Sequence, residues 1–180
     1  MMIEARFTNE MIDLLKCLKG VEFVGYSATD LYAGETIYDG KVYLQVGTKT
    51  IKISNEEKQI PWFKSKDLSD LENIFSFSCL ETIEQGEQKF VVKERIKSVK
   101  IITDYINIPQ KNYEIALDMA LVIVTEAHSY IISRGWIFGE YLDINMDKGF
   151  DDIYSLSQVK EEWNNFGDWE IVAKRVTQEL

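Results

Sequence analysis

A chain of 180 residues that is 46% hydrophobic and 28% charged, with only two prolines, has the composition of an ordinary globular protein. It is long enough to bury roughly 70% of its unfolded surface without disulfides or a structural metal. Thirty acidic against twenty basic residues leave a net charge of -10, which repels a phosphate backbone and argues against a dedicated nucleic-acid binder. Glu4, Glu10 and Asp13 interrupt the start of the chain where an export signal needs a basic end and an apolar run. The longest apolar stretch, 119–124, is far shorter than the roughly 20 residues of a membrane helix, so a soluble, cytoplasmic protein with no membrane contact is expected. Cys17 and Cys79 form no CxxC pair and read as reduced core thiols.

In chain order, Met11, Leu14, Leu15 and Leu18 fall at helical spacing, with Thr8 or Asn9 as cap and Gly20 as stop, which predicts a helix over 9–19. Apolar and polar side chains then alternate through Phe23 and Gly25, through 41–45 and through 50–54, with turns at Asp39-Gly40 and Gly47-Thr48. Antiparallel strands with one wet face read this way. After Pro61-Trp62-Phe63, Leu68, Leu71, Ile74 and Phe75 return to helical spacing behind Ser65 and predict a short helix. Two extended stretches follow, 75–83 and 90–108, joined by a turn at 84–87. Lys93, Arg95 and Lys97 alternate imperfectly with Val92, Ile96 and Val99, which predicts a bulge.

Residues 115–124 are apolar on both faces, and their β-branched content favours a central strand over a buried helix, with a hairpin turn at 126–129 leading into Tyr130-Ile131-Ile132. Trp136-Ile137-Phe138, between Gly135 and Gly139, reads as another extended piece. Ser155 and Gln158 form a capping-box pattern ahead of a helix striped by Val159, Trp163 and Phe166 and ended by Gly167. Trp169, Val172, Val176 and Leu180 predict a last helix capped by Asp168. No linker or repeat divides the chain. The expected fold is a single α+β domain over 1–180, a predominantly antiparallel β-sheet with helices near the N- and C-termini.

Chemical motifs are sparse. Asp143, Asn145, Asp147 and Asp151 offer oxygen donors at alternate positions, as a calcium loop does. Lys148 stands where such a loop needs glycine, and Tyr154 where it needs a bidentate Glu, so a plain acidic loop without metal is expected. His128, the only histidine, excludes a multi-histidine metal site and reads as a turn residue. A thiolate pair with Cys17 or Cys79 lacks electropositive surroundings. Glu56-Glu57-Lys58 and Glu87-Gln88-Lys89 contain the carboxylate–lysine half of a nuclease signature, both at turn-like positions and without the preceding strand element. Phosphate-binding, dinucleotide-binding, nucleophile-elbow and zincin motifs are absent, and no cofactor is implied.

Charge is the uneven feature. Residues 140–180 carry ten acids against four basic residues, whereas 41–66 and 89–100 are locally positive. The favoured reading is a non-enzymatic interaction protein that presents Asp147, Asp151, Asp152, Glu161 and Glu162 to a basic protein partner. In size, acidity and lack of catalytic parts it resembles inhibitory and immunity-type proteins. An alternative is a small-molecule or enzymatic site built from Asp104, Asp118, His128, Arg134 and Trp136, in which arginine beside tryptophan clamps a carboxylate. The plainer expectation for Arg134 is an internal ion pair with Asp118. A third reading is an oligomeric structural protein joined through sheet edges.

Overall fold

The computed structural model describes residues 2–28, 31–32, 36–37, 40–61, 71–134, 139–165 and 167–180. The expected strand at 136–138, the aromatic residues Trp62 and Trp136, and residues 65–70 of the expected helix behind Ser65 lie outside the described residues. The strands are β1 (Met2–Ala5), β2 (Glu22–Ala28), β3 (Leu31–Tyr32), β4 (Thr36–Ile37), β5 (Lys41–Val46), β6 (Lys49–Pro61), β7 (Leu71–Thr82), β8 (Gln88–Ile108), β9 (Tyr113–Thr125), β10 (Ser129–Ser133), β11 (Leu142–Met146) and β12 (Val172–Glu179). Three short α-helices accompany them: α1 (Asn9–Lys16), α2 (Phe150–Ile153) and α3 (Leu156–Asn164). The described residues are thus mostly β, with α-helix only near the two ends and one 3-10 turn at Pro109–Lys111.

The strands form one hydrogen-bonded array in the order β3-β4-β11-β10-β9-β8-β2-β5-β6-β7, with β1 attached to β9 and β12 to β8. Every pairing is antiparallel except that of β1 with β9. The long strand β8 belongs to both halves of the array. Its first part pairs with β2 from Gln88 to Arg95, and its second part pairs with β9 from Ile96 to Ile108. The expected bulge sits between these parts: the register shifts between Ile96 and Ser98, and Lys93 adopts a left-handed φ of 60°. An extra residue bends and twists a strand, so the array turns back on itself there. Strand β7, the last in the order, accordingly touches β1 and β9.

Two apolar cores result from strand alternation. Phe23, Leu44, Ile53 and Phe77 from one half meet Ile101, Leu121, Ile123 and Ile132 from the other, and α1 adds Leu15. On the outer face of the β8–β9–β10 half, Ile106, Ile115, Leu117 and Ile131 pack against Phe150, Val159 and Trp163 of α2 and α3. A second register shift, which leaves Met119 unpaired between Ala120 and Asp118, lets β9 serve both cores along its length.

Five expectations are corrected. The segment 169–180 is not a helix: Val172 to Glu179 pair residue by residue with β8 from Asn107 to Lys100. The spacing of Trp169, Val172 and Val176 mimics a helical stripe, but the side chains that pack on this core are Trp169, Ile171 and Ala173, each two apart as in a strand. Leu71 to Phe75, expected as the end of a helix, belong to β7 and pair with 57–61, and the same ladder draws Glu56, Glu57 and Lys58 into β6 rather than a turn. Cys17 is exposed at the C-cap of α1, which ends at Lys16, while Cys79 is buried as expected. Asp118 pairs not with Arg134 but with Arg6, at 3.4 Å. Among the described residues no helix is long and apolar enough to cross a membrane.

Candidate functional site

The acidic C-terminal region is built around two helices, of which one arginine ties the first to the sheet. In α3 the Ser155 hydroxyl accepts from Gln158 N–H, and the Gln158 side chain accepts from Ser155 N–H at 2.8 Å, closing the capping box expected from sequence. Val159 and Trp163, one turn apart, are buried on the sheet, which leaves Lys160 and Glu161 facing outward. In α2 Phe150 is buried, and the Asp152 carboxylate accepts from Gly149 N–H at 3.2 Å across the first turn.

Arg175 of β12 joins these parts. Its Nε and Nη2 donate to the two oxygens of Asp104 at 2.7 and 2.6 Å, its Nη1 donates to Asp151 at 2.6 Å, and its guanidinium lies 4.3 Å from the Phe150 ring centre. The Arg175 side chain is 8% exposed and that of Asp104 1%. The carboxylates hold the Arg175 guanidinium above its usual range against the opposing effect of burial. Tyr154, whose hydroxyl donates to Glu162, has its pKa raised by burial and by that carboxylate. Burial likewise raises the pKa of Glu162.

The five acids expected to form one surface therefore have different duties. Asp151 is ion-paired yet 74% exposed, Asp152 caps α2 and remains exposed, Glu161 is exposed, and Glu162 is half-buried against Tyr154. Asp147 belongs elsewhere. It terminates β11 with a φ of 56°, accepts from Ser129 N–H at 2.9 Å and meets His128 Nδ1 at 2.6 Å.

His128 sits in the β9–β10 turn, as its sequence context implies. Asp147 lies on one side of the imidazole and Glu94 on the other, 3.9 Å from Nε2, while the Thr125 hydroxyl donates to Glu94. The Asp147 hydrogen bond raises the His128 pKa, with Glu94 adding to the effect. The Asp147 pKa is lowered by Ser129 N–H and by His128. Nearby Tyr130 is buried, which pushes its phenol up to about 12.

Of the alternative ligand site, Asp104 and Asp118 lie within electrostatic reach of Arg134, His128 lies apart from them, and Trp136 falls outside the described residues. Asp104 faces the α2–α3 side, where it lines a small gap with Leu117, Tyr154 and Trp163, whereas Asp118 accepts from Phe7 N–H at 2.7 Å and from the Thr103 hydroxyl at 2.6 Å. His128 and Arg134 flank opposite ends of the five-residue strand β10, a span of roughly 20 Å. Clefts among the described residues are small. One of about 80 Å³ lies beside Gly25, Tyr43 and Lys89, and one of about 160 Å³ beside Met2, Tyr105 and Val172. Sites for drug-sized ligands span roughly 300–1,000 Å³. No group of three or more His, Cys, Asp or Glu side chains able to hold a metal occurs among the described residues.

Sequence reasoning missed Arg175, Glu94 and Tyr154. The period-two spacing of Ile171, Ala173 and Arg175 was a signal for the first, and the isolation of Glu94 within a basic run was one for the second. Nothing local marked Tyr154. Compared with known proteins, the chain matches no protein-family model, no curated protein and no solved structure.

Proposed function

We propose that the protein is a non-enzymatic interaction protein, of inhibitory or immunity type, whose α2–α3 face covers a basic surface on a protein partner. One observation carries this reading: Asp151 and Asp152 are presented on α2, which Arg175 holds, and Glu161 on α3, whose Val159 and Trp163 are buried. Charges held in place before contact lose little freedom on binding, and an acidic face both accelerates and selects encounters with a basic one. Exposed Asp168 and Glu170 extend the negative field beyond α3. The small clefts, the separation of His128 from Arg134 and the engagement of Asp104 and Asp118 with other partners favour surface recognition over a ligand pocket. Unpaired Cys17 and Cys79 are in keeping with the reducing cytosol as the working compartment.

The test uses Asp152→Lys with Glu161→Lys, which spares Asp151 and Glu162 because these serve Arg175 and Tyr154 inside the fold. Wild type and variant are immobilised and challenged with source-cell lysate at low and high salt, and retained proteins are identified by mass. A stoichiometric basic protein held by wild type at low salt and released by the variant is the expected result. Equal retention by both, or retention only of acidic proteins, refutes the proposal.

A further inference from the structure

Among the described residues β12 pairs only with β8, and its side turned away from β8 meets no strand. The phase of that open edge is fixed at Leu180, whose N–H donates to Val99 O at 2.9 Å. Backbone groups point alternately to the two sides of a strand, so the even-numbered residues of 172–180 spend theirs on β8. Ala173, Arg175, Thr177 and Glu179 therefore turn their N–H and C=O groups outward, and Thr177 and Glu179 are exposed. Neither a proline nor a bulge interrupts the edge, two of the devices that keep a sheet edge solitary.

The side chains of β12 divide between two faces. Ile171, Ala173 and Arg175 lie toward α2 and α3, whereas Val172, Val176 and Leu180 share the opposite face, with Lys174 and Gln178 between them. Val172 is 49% exposed, and Val176 and Leu180 are half-buried. This apolar pattern, which mimics a helical stripe in the sequence, reads the same in both directions from Val176. Beside Val172 the same face opens on the cleft of about 160 Å³ that exposed Met2 and Tyr105 line.

We infer that the β12 edge is the docking surface for a second copy of this chain, the two β12 strands pairing antiparallel across a two-fold axis at Val176. In that register Ala173 lies opposite Glu179 and Arg175 opposite Thr177, so the outward backbone groups exchange about eight hydrogen bonds. Val176 meets its own counterpart, and Val172 meets Leu180 of the second copy at the mouth of the Met2–Tyr105 cleft. Lys174 meets Gln178, so no like charges stand opposite one another. Centring the axis on Lys174 or Arg175 instead sets each against its own copy. The two-fold pairing uses up both edges, and the assembly closes at two chains.

Sedimentation equilibrium of the wild-type chain at physiological salt measures the mass as concentration rises. A reversible dimer is expected. Thr177→Pro removes an outward N–H that β8 does not use, and an edge strand tolerates this. The variant is expected to keep its circular dichroism spectrum and to dimerise about tenfold more weakly or less. The register is read separately with Val176→Cys and Gln178→Cys, each in a Cys17→Ser background and oxidised with glutathione disulfide. Residues 176 of the two copies face each other at a Cα separation of about 4.5 Å, within disulfide reach, whereas residues 178 lie too far apart. An intermolecular disulfide is expected to form at least about tenfold faster at 176 than at 178. This comparison decides the register even if Thr177→Pro does not fold. A monomer at every concentration overturns the inference, as do equal rates at 176 and 178, or a dimer that folded Thr177→Pro leaves intact.

Discussion

Replacing Arg175 by alanine tests whether the β12 clamp holds α2 and the sheet together. The substitution leaves Asp104, with a side chain 1% exposed, without the two donors at 2.7 and 2.6 Å that satisfy its oxygens. Removing one partner of a buried ion pair costs about 3–5 kcal/mol, mostly because the other charge is stranded. The lost contact to Asp151 adds little, since that carboxylate is 74% exposed. Against a total stability of about 5–15 kcal/mol, such a loss is large. For a chain of this size it lowers Tm by about 6–20 °C. Urea unfolding followed by far-ultraviolet circular dichroism and by tryptophan fluorescence measures it, Trp163 being fully buried beside the site. The double variant Asp104→Leu with Arg175→Met removes both charges and is expected to fall within about 1–2 kcal/mol of wild type. A loss below about 1 kcal/mol for Arg175→Ala alone, or a double variant as unstable as the single one, refutes the clamp.

Three further outcomes are expected. His128 has a raised pKa, so its contribution to stability is complete below the ordinary histidine value and fades as pH rises through the raised one. Asp147 has a lowered pKa, so its contribution is complete above the ordinary aspartate value and fades as pH falls through the lowered one. The pair therefore stabilises fully between about pH 4 and 6.5; proton NMR of the single histidine is expected to show its midpoint falling in Asp147→Asn, and an unchanged midpoint contradicts the pairing. Native protein is expected to lose one thiol to iodoacetamide, the exposed Cys17, while Cys79, its thiol pushed up to about 12 by burial, reacts only after unfolding. Mass spectrometry distinguishes this from two rapid modifications. Gly25→Ala places a Cβ 2.1 Å from the Phe90 carbonyl on the adjacent strand, and is expected to cost about 1–3 kcal/mol in urea unfolding; no measurable loss means that the strands do not approach so closely.

Features decided within a few residues were legible in the sequence. The Thr8 hydroxyl caps α1, and Ser155 with Gln158 caps α3, because a cap needs only its own first turn. The turn at 126–129 and the bulge in β8 were also readable, since alternation breaks where the ladder breaks. The doubly apolar stretch 115–124 announced a strand covered on both sides, which β9 is. Of the candidate site residues, the acidic character of α2 and α3 could be read, but their partners could not.

What the tertiary structure alone decided involves distant pairing. Residues 172–179 carry a helix-like stripe, yet they satisfy the open edge of β8, and eight ladder positions outweigh a weak amphipathic preference. Residues 71–75 become strand because β6 offers its edge to them. Arg175 reaches Asp104 across 71 residues, and Arg6 reaches Asp118 across 112. Sequence spacing encodes which face of a segment is apolar; which carboxylate meets which arginine depends on the register of strands far apart in the chain, and that register is set only when the two cores close.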